Sequence, residues 1–197
     1  MKEGDLSLRA YEEIKKADKV FIRTAETNVG RWLASLGFEF TALDYIYKKS
    51  RNFYTLAKNL ANVVLKAAKT LNVVYLVDGD VKDDVSCSVI AGVRKDAVII
   101  PGISKADYYL EKVGIFSYTN YTAISAYDIN TPKRLTLPLV VFDIDSSLTA
   151  SNVKLRLADL FGDDIPCYKF FNDRFKKIPL YESDYGNEFD YSSAIVI

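Results

Sequence analysis

Apolar residues recur at helical spacing at Leu6, Ala10, Ile14 and Ala17, and Lys19 to Arg23 then reads as a short strand, so the chain opens with a helix feeding a strand. A second helix follows over Val29 to Leu36 and stops at Gly37. The clearest amphipathic stripe is Phe53, Leu56, Ala57, Leu60, Val64 and Ala67, with Lys58, Asn62, Lys66 and Lys69 elsewhere around the helix. Asn72 to Val77 (NVVYLV) is a continuous apolar run of the buried parallel-strand kind. Ala97 to Ile100 is another such run and predicts a further strand, ended by Pro101 and Gly102.

From Ser104, placed as an N-cap, the pattern predicts a helix to Val113 with Gly114 as its stop. Tyr121 to Ala126 and Leu139 to Phe142 read as strands. Val153, Leu157, Leu160 and Phe161 put an apolar stripe on a helix beginning near Thr149. Cys167 to Phe171, Ile178 to Tyr181 and Ala194 to Ile197 supply three more strands with short turns, so the chain ends in β-rich, antiparallel structure. Alternating strands and helices followed by hairpins predict an α/β protein of two domains, 1–100 and 101–197, with the boundary near Pro101.

With about half of its 197 residues apolar, the chain has enough material for a sizeable core without disulfide staples. Lys plus Arg and Asp plus Glu number 26 each, so no global field favours nucleic acid or an acidic membrane surface. Cys87 and Cys167 stand far apart and outside any CxxC arrangement, and read as reduced, buried residues. No apolar run is long enough to span a bilayer and the charged start is no signal peptide, so a cytoplasmic protein is expected. The chain contains no histidine, which removes Ser-His and Cys-His nucleophile pairs and the HExxH zinc helix together. Chemistry here must run on carboxylates, hydroxyls, amines or a cofactor.

Three segments are candidates. Asp78-Gly79-Asp80 follows the strand ending at Val77, where an open α/β sheet places its ligand crevice, and a carboxylate at such a turn can accept hydrogen bonds from ribose hydroxyls. On spacing alone a solvated acidic turn is favoured, because Lys82, Asp83 and Asp84 adjoin it. Pro101-Gly102-Ile103-Ser104 hands a strand to a helix and offers free backbone N–H groups to a ligand, as many helix starts do. Leu139 to Thr149 contains VVFDIDSSLT, which resembles the DxDxxxT pattern of haloacid dehalogenase phosphotransferases. On that reading Asp143 is the nucleophile and Asp145 the general acid. That chemistry needs a further acidic pair for magnesium, and Asp163 and Asp164 come too soon after the motif to supply it.

Taken in order, the segments resemble the tetrapyrrole methylase family, in particular the methylase-like domain found ahead of MazG-type nucleotide pyrophosphohydrolases. GDLSLRAYEEIKKADKVFIRT, Gly4 to Thr24, is similar to GDPDLLTLRAxxxLxxADVVFxRT. VVYLVDGDV, Val73 to Val81, is similar to VVYxxxGDP, and VIIPGIS, Val98 to Ser104, to VExxPGVS. PLVVFDIDSSLTASNVKLRLADLFGDDI, Pro138 to Ile165, resembles PLVIxxxxxxLxASxVKLxLxxxYPDDH, and IPLYESD, Ile178 to Asp184, resembles IPLYELD. The similarity spans nearly the whole chain and accounts for VVFDIDSS without a phosphatase.

The resemblance implies two αβα domains with S-adenosylmethionine in the cleft between them, S-adenosylhomocysteine as product, a homodimer, and methyl transfer to a tetrapyrrole or similar planar small molecule. Position by position, it places Asp78, Gly79 and Asp80 along the methionine and ribose part of the cofactor, Ser104 and Lys105 across from them, and Phe142 on the second-domain strand facing it. It requires no metal, and the sequence itself singles out no catalytic residue. Departures are specific: Val81 stands where the family has Pro, Asp78 where some relatives carry Gly, and only Met1 to Asp5 correspond to the family's opening strand and glycine-rich loop. Either the start lies upstream or the first sheet lacks a strand, and a binding or regulatory module with the same fold is the second functional expectation. No acidic MazG helices follow, so pyrophosphohydrolase activity is not expected.

Overall fold

The computed structural model of the chain describes residues 5–25, 28–47, 49–50, 53–116, 120–131, 134–172, 174–190 and 192–197. It divides into two compact units, Met1–Lys105 and Ala106–Ile197.

The first unit opens with α1 (Leu8–Lys16), whose N-cap Ser7 accepts the Ala10 N–H at 3.2 Å. It feeds β1 (Lys19–Ile22), as the opening periodicity predicts. There follow α2 (Asn28–Ser35), the short β2 (Thr41–Ala42), α3 (Asp44–Tyr47), α4 (Phe53–Ala67), β3 (Val73–Leu76) and α5 (Val85–Val93). β1 is the middle of a parallel sheet ordered β2-β1-β3, with Phe21 opposite Thr41 and Lys19 opposite Val73. Ile14, Val20, Ile22 and Leu33 form its core. α4 buries Phe53, Leu56, Ala57, Leu60 and Val64 of the stripe read from the sequence, together with Ala61, while Ala67 at the end of the stripe is half-buried.

Two expectations fail in this unit for one reason. Ala97 to Ile100 forms no strand, and Val98 and Ile99 are 72% and 54% exposed. β3 is half-buried at every position rather than enclosed, because among the described residues it pairs on one edge only, with β1. An apolar run becomes a strand when a neighbouring edge takes its main-chain hydrogen bonds, and among the described residues no strand pairs with residues 97–100.

The second unit contains α6 (whose range, Lys105–Lys112, begins at the boundary), β4 (Thr122–Ser125), β5 (Leu139–Phe142), α7 (Ser147–Phe161), β6 (Pro166–Phe171), β7 (Arg174–Pro179) and β8 (Ala194–Val196). The sheet order is β4-β5-β8-β6-β7: β4 and β5 are parallel, and the remaining pairs antiparallel. β5 is buried throughout because its alternate residues feed two different clusters. Leu139 and Val141 pack with Ala150, Val153 and Leu157 of α7, whereas Val140 and Phe142 pack with Ala106, Tyr109 and Leu110 of α6. Ser146 caps α7, accepting the Thr149 N–H at 3.2 Å, and Gly162 ends it at φ 88°. Leu160, expected on the buried stripe, is 42% exposed, since the face that packs is Ala150, Val153 and Leu157. The strand expected over Ile178 to Tyr181 lies earlier. Pro179 has no N–H to extend the ladder, and Leu180–Glu182 turns into a 3-10 segment.

Both cysteines are free; Cys167 is buried as expected, whereas Cys87 is only half-buried, on the α5 face that lines a cavity of the first unit. Burial pushes the Cys87 thiol up to about 12 and the Cys167 thiol up to about 11, which leaves both protonated and unreactive. No helix among the described residues is long and apolar enough to cross a membrane.

Candidate functional site

β3 delivers the chain at Leu76 to a bend at Asp78-Gly79-Asp80, and the segment from Asp96 returns it at a second bend, Pro101-Gly102-Ile103, before α6. The two bends are locked together. Gly79 has φ 92°, and a Cβ there would meet Lys105 Cγ at 2.9 Å. A Cβ on Gly102 would fall 2.3 Å from the Gly79 carbonyl oxygen, so only glycine permits the main chains to pack this closely.

Two carboxylates fasten the contact. Asp80 is 3% exposed; its Oδ1 accepts the Lys82 N–H at 2.9 Å and its Oδ2 accepts the Gly102 N–H at 3.1 Å. Asp83 Oδ2 accepts the Lys105 N–H at 2.7 Å and the Asp80 N–H at 3.3 Å. Asp80 and Asp83 thus cap the 3-10 turn that follows the first bend and at the same time hold the second. The ribose-acceptor role expected of Asp80 meets a carboxylate whose two oxygens already receive main-chain donors.

Asp78 differs from both. It is half-buried, and burial pushes its carboxyl above the ordinary value against the pull of Lys105 and Arg23. Ser104 and Lys105 are half-buried at the start of α6, and the Lys105 stem lies over Gly79. Phe142 belongs to the second unit, is 8% exposed, and packs in the cluster containing Tyr109 and Phe170.

A cavity of about 910 Å³ in the first unit runs from these bends along the edge of β3 that has no strand partner among the described residues. Its walls are Val73–Lys82, Asp5–Ser7 with Ala10, the Cys87–Ala91 turn of α5, and Asp96–Ile103. That volume suits a ligand the size of a nucleoside conjugate, and the mixture of aliphatic wall with a few polar groups at one end is typical of small-molecule sites.

Behind the bend stands a buried network that sequence reasoning missed. The Arg23 guanidinium pairs with Asp84, its Nε donates to the Tyr47 hydroxyl at 2.7 Å, and Ser86 donates to Asp84 from its N–H at 2.8 Å and from its hydroxyl. Burial opposes the charge on Asp84, yet Arg23 and the Ser86 hydrogen bonds outweigh it and hold the carboxyl below its usual value. The available signal was the Arg-Thr pair closing the first family-like segment, a charged residue directly after an apolar strand.

In the second unit Asp143 is 1% exposed, with a left-handed backbone at φ 62°, and accepts the Ser125 hydroxyl at 3.0 Å. Asp145 accepts the Tyr127 hydroxyl and, at 2.8 Å, that of Thr149. A nucleophile needs access to phosphorus, and Asp143 is enclosed. Among the described residues no group of three or more His, Cys, Asp or Glu is arranged to hold a metal ion. The geometry therefore uses both carboxylates to tie β4 to the loop after β5.

No protein-family profile matches the sequence, and no curated protein matches it. The fold does have counterparts among solved structures. The chain is similar to a diphthine synthase at 15% identity and TM-score 0.62, over 98% of this chain and 84% of that one. It is similar to the uroporphyrin-III-C-methyltransferase of Thermus thermophilus at 16% identity and TM-score 0.70, over 99% and 88%. A precorrin-6Y methylase of cobalamin biosynthesis from Archaeoglobus fulgidus matches at 12% identity and TM-score 0.67, over 100% and 92%. At these identities the likeness establishes the fold: the chain has the two-unit α/β fold of the tetrapyrrole methylases.

Proposed function

We propose that the chain binds S-adenosylmethionine at the clasped bends of its first unit and transfers the methyl group to a tetrapyrrole or another planar small molecule. The observation that carries this reading is the cavity ending at Asp78-Gly79-Asp80, at the carboxyl end of a parallel strand, where open α/β sheets bind ligands. Support comes from the full-length likeness to two named methylating enzymes and from the collinear family-like segments. The residues fit the group: aliphatic walls for an adenosine, a rigid bend at their end, and a carboxylate at the polar end.

When bound, the cofactor supplies the electrophilic methyl and its own leaving group, so the protein's share is to bind, align and exclude water. Gly79 and Gly102 allow the two bends to pack against each other, Asp80 and Asp83 fix them as positioning residues, and the roles of Ser104 and Lys105, which adjoin the cavity wall without lining it, rest on the resemblance. The part of Phe142 rests on the resemblance alone, as do a cytoplasmic homodimer and kinship with the methylase domain found ahead of MazG enzymes.

A second reading, a binding or regulatory module of the same fold, is favoured by one feature: among the described residues β3 has a strand partner on one edge only, which leaves a long wall of the cavity without one. Titration calorimetry with S-adenosylhomocysteine tests the binding shared by both. The expected Kd is on the order of 10 μM, about −7 kcal/mol, and no heat at millimolar ligand refutes the cofactor site. Transfer of a labelled methyl from S-adenosylmethionine to an added uroporphyrinogen then separates enzyme from module.

A further inference from the structure

Arg23 and Asp84 bury opposite charges behind the first bend, with side chains 10% and 2% exposed. Taking two charges out of water costs about what their attraction returns, so a buried pair adds little net stability over uncharged groups of similar volume. Such a pair does fix geometry, because a guanidinium fork meets a carboxylate in few arrangements. The geometry here is that of the clasp between the bends. Asp84 ends the 3-10 turn Val81–Asp83, donating its N–H to the Val81 carbonyl, and starts α5 by accepting the Ser86 N–H. Asp80 and Asp83, at the two ends of that turn, hold the Gly102 and Lys105 N–H groups of the second bend. Arg23 anchors Asp84 from the residue directly after β1, with its Nε on the Tyr47 hydroxyl of α3 and its guanidinium 5.9 Å from the Phe53 ring of α4. Ser86 carries the network on to β3: its hydroxyl lies 3.0 Å from that of Tyr75, a residue of the cavity wall.

We propose that Arg23 is a positioning residue of the ligand site: through Asp84 it sets the turn that clasps the two bends, and the pair contributes more to ligand affinity than to the net stability of the fold. For the ligand's identity this rests on the cofactor reading, whereas the clasp can be measured without a ligand. Removing Arg23 alone orphans a buried carboxylate and confounds the two contributions. Removing both charges separates them.

The test combines Arg23→Met with Asp84→Asn, whose amide oxygen can still accept the Ser86 N–H at the start of α5, and compares the double variant with the wild type. Its Tm is expected to stay close to or above the wild-type value, since a buried pair replaced as a pair costs little. By hydrogen exchange without ligand, the Gly102 and Lys105 amides should exchange at least about tenfold faster, with the amides of β1 and β3 unchanged. By calorimetry, S-adenosylhomocysteine should bind at least about tenfold more weakly. Wild-type exchange and affinity in the double variant overturn the assignment. A fall in Tm with faster exchange throughout the unit overturns it too, by making the pair structural. If the double variant does not fold, Arg23→Lys decides, because it keeps the cation and loses the fork that meets Asp84 and Tyr47 together. Faster exchange confined to Gly102 and Lys105 is then expected, and a wild-type pattern overturns the assignment. A wild type that binds no S-adenosylhomocysteine refutes the cofactor reading alone, and the exchange of Gly102 and Lys105 then decides the positioning role.

Discussion

Two apolar strands of equal length, β3 in the first unit and β5 in the second, end in opposite surroundings. β5 lies between β4 and β8 and carries a hydrophobic cluster on each face, so all four of its residues are buried. Among the described residues β3 has β1 on one side and a cavity along the other, and all four of its residues are half-exposed. The second unit is held by apolar enclosure. The first leaves room for a ligand and is braced instead by polar groups at its bends and by the buried Arg23–Asp84 pair. Openness and polar bracing go together here because a wall without apolar packing on it leaves the bends to be held by hydrogen bonds.

Substitutions in the two units should separate these modes of support. Arg23→Met leaves Asp84 buried without its cation and should destabilise by about 4 kcal/mol in urea titration, as broken buried pairs do. The pH dependence fixes the cause. Asp84 has a depressed folded pKa, so its contribution is present above the ordinary value of 3.8 and is lost as pH falls through the folded value. Arg23→Met should lose that part of the acid sensitivity, and an unchanged acid profile would count against the brace. Leu139→Ala, at a fully enclosed position of β5, should cost about 3 kcal/mol.

Gly102→Ala should cost about 2 kcal/mol, because the new methyl meets the Gly79 carbonyl and the bends must part. It should also weaken S-adenosylhomocysteine by more than the stability loss explains, measured at a temperature where the variant is fully folded. Val74→Ala, the counterpart of a core truncation on the open strand, should cost only about 1 kcal/mol. Equal losses for Leu139→Ala and Val74→Ala would dissolve the contrast between the units.

The sequence made the elements around β5 readable and misled around β3, for a physical reason. Periodicity reports which faces of an element are apolar, and Leu139 to Phe142 and the α4 stripe appear where that pattern places them. Periodicity does not report how many neighbours a strand finds. NVVYLV and PLVVF look alike, yet among the described residues one pairs on a single edge and the other on both, and the apolar run at Val98 to Ile100 pairs with no strand. The short α3 and the α5 helix escaped because neither carries a strong stripe; α5 begins where Asp84 accepts the Ser86 N–H.

At the site, the glycines and acids of both bends were visible as motifs, but their division of labour was not. Asp78 and Asp80 are two residues apart and chemically identical. Only the position of the Gly102 N–H tells that one carboxylate is engaged by the fold. The Arg23–Asp84 pair joins positions 61 residues apart, a separation no local pattern encodes.

The central claim, that the open side of the first unit receives an adenosyl ligand, is tested most directly by hydrogen exchange with and without saturating S-adenosylhomocysteine. Slowed exchange is predicted in the segments Val73 to Asp80 and Val98 to Lys105, with the amides of β5 and β8 unchanged. Exchange that is unaltered in those two segments while the ligand is demonstrably bound would contradict the account.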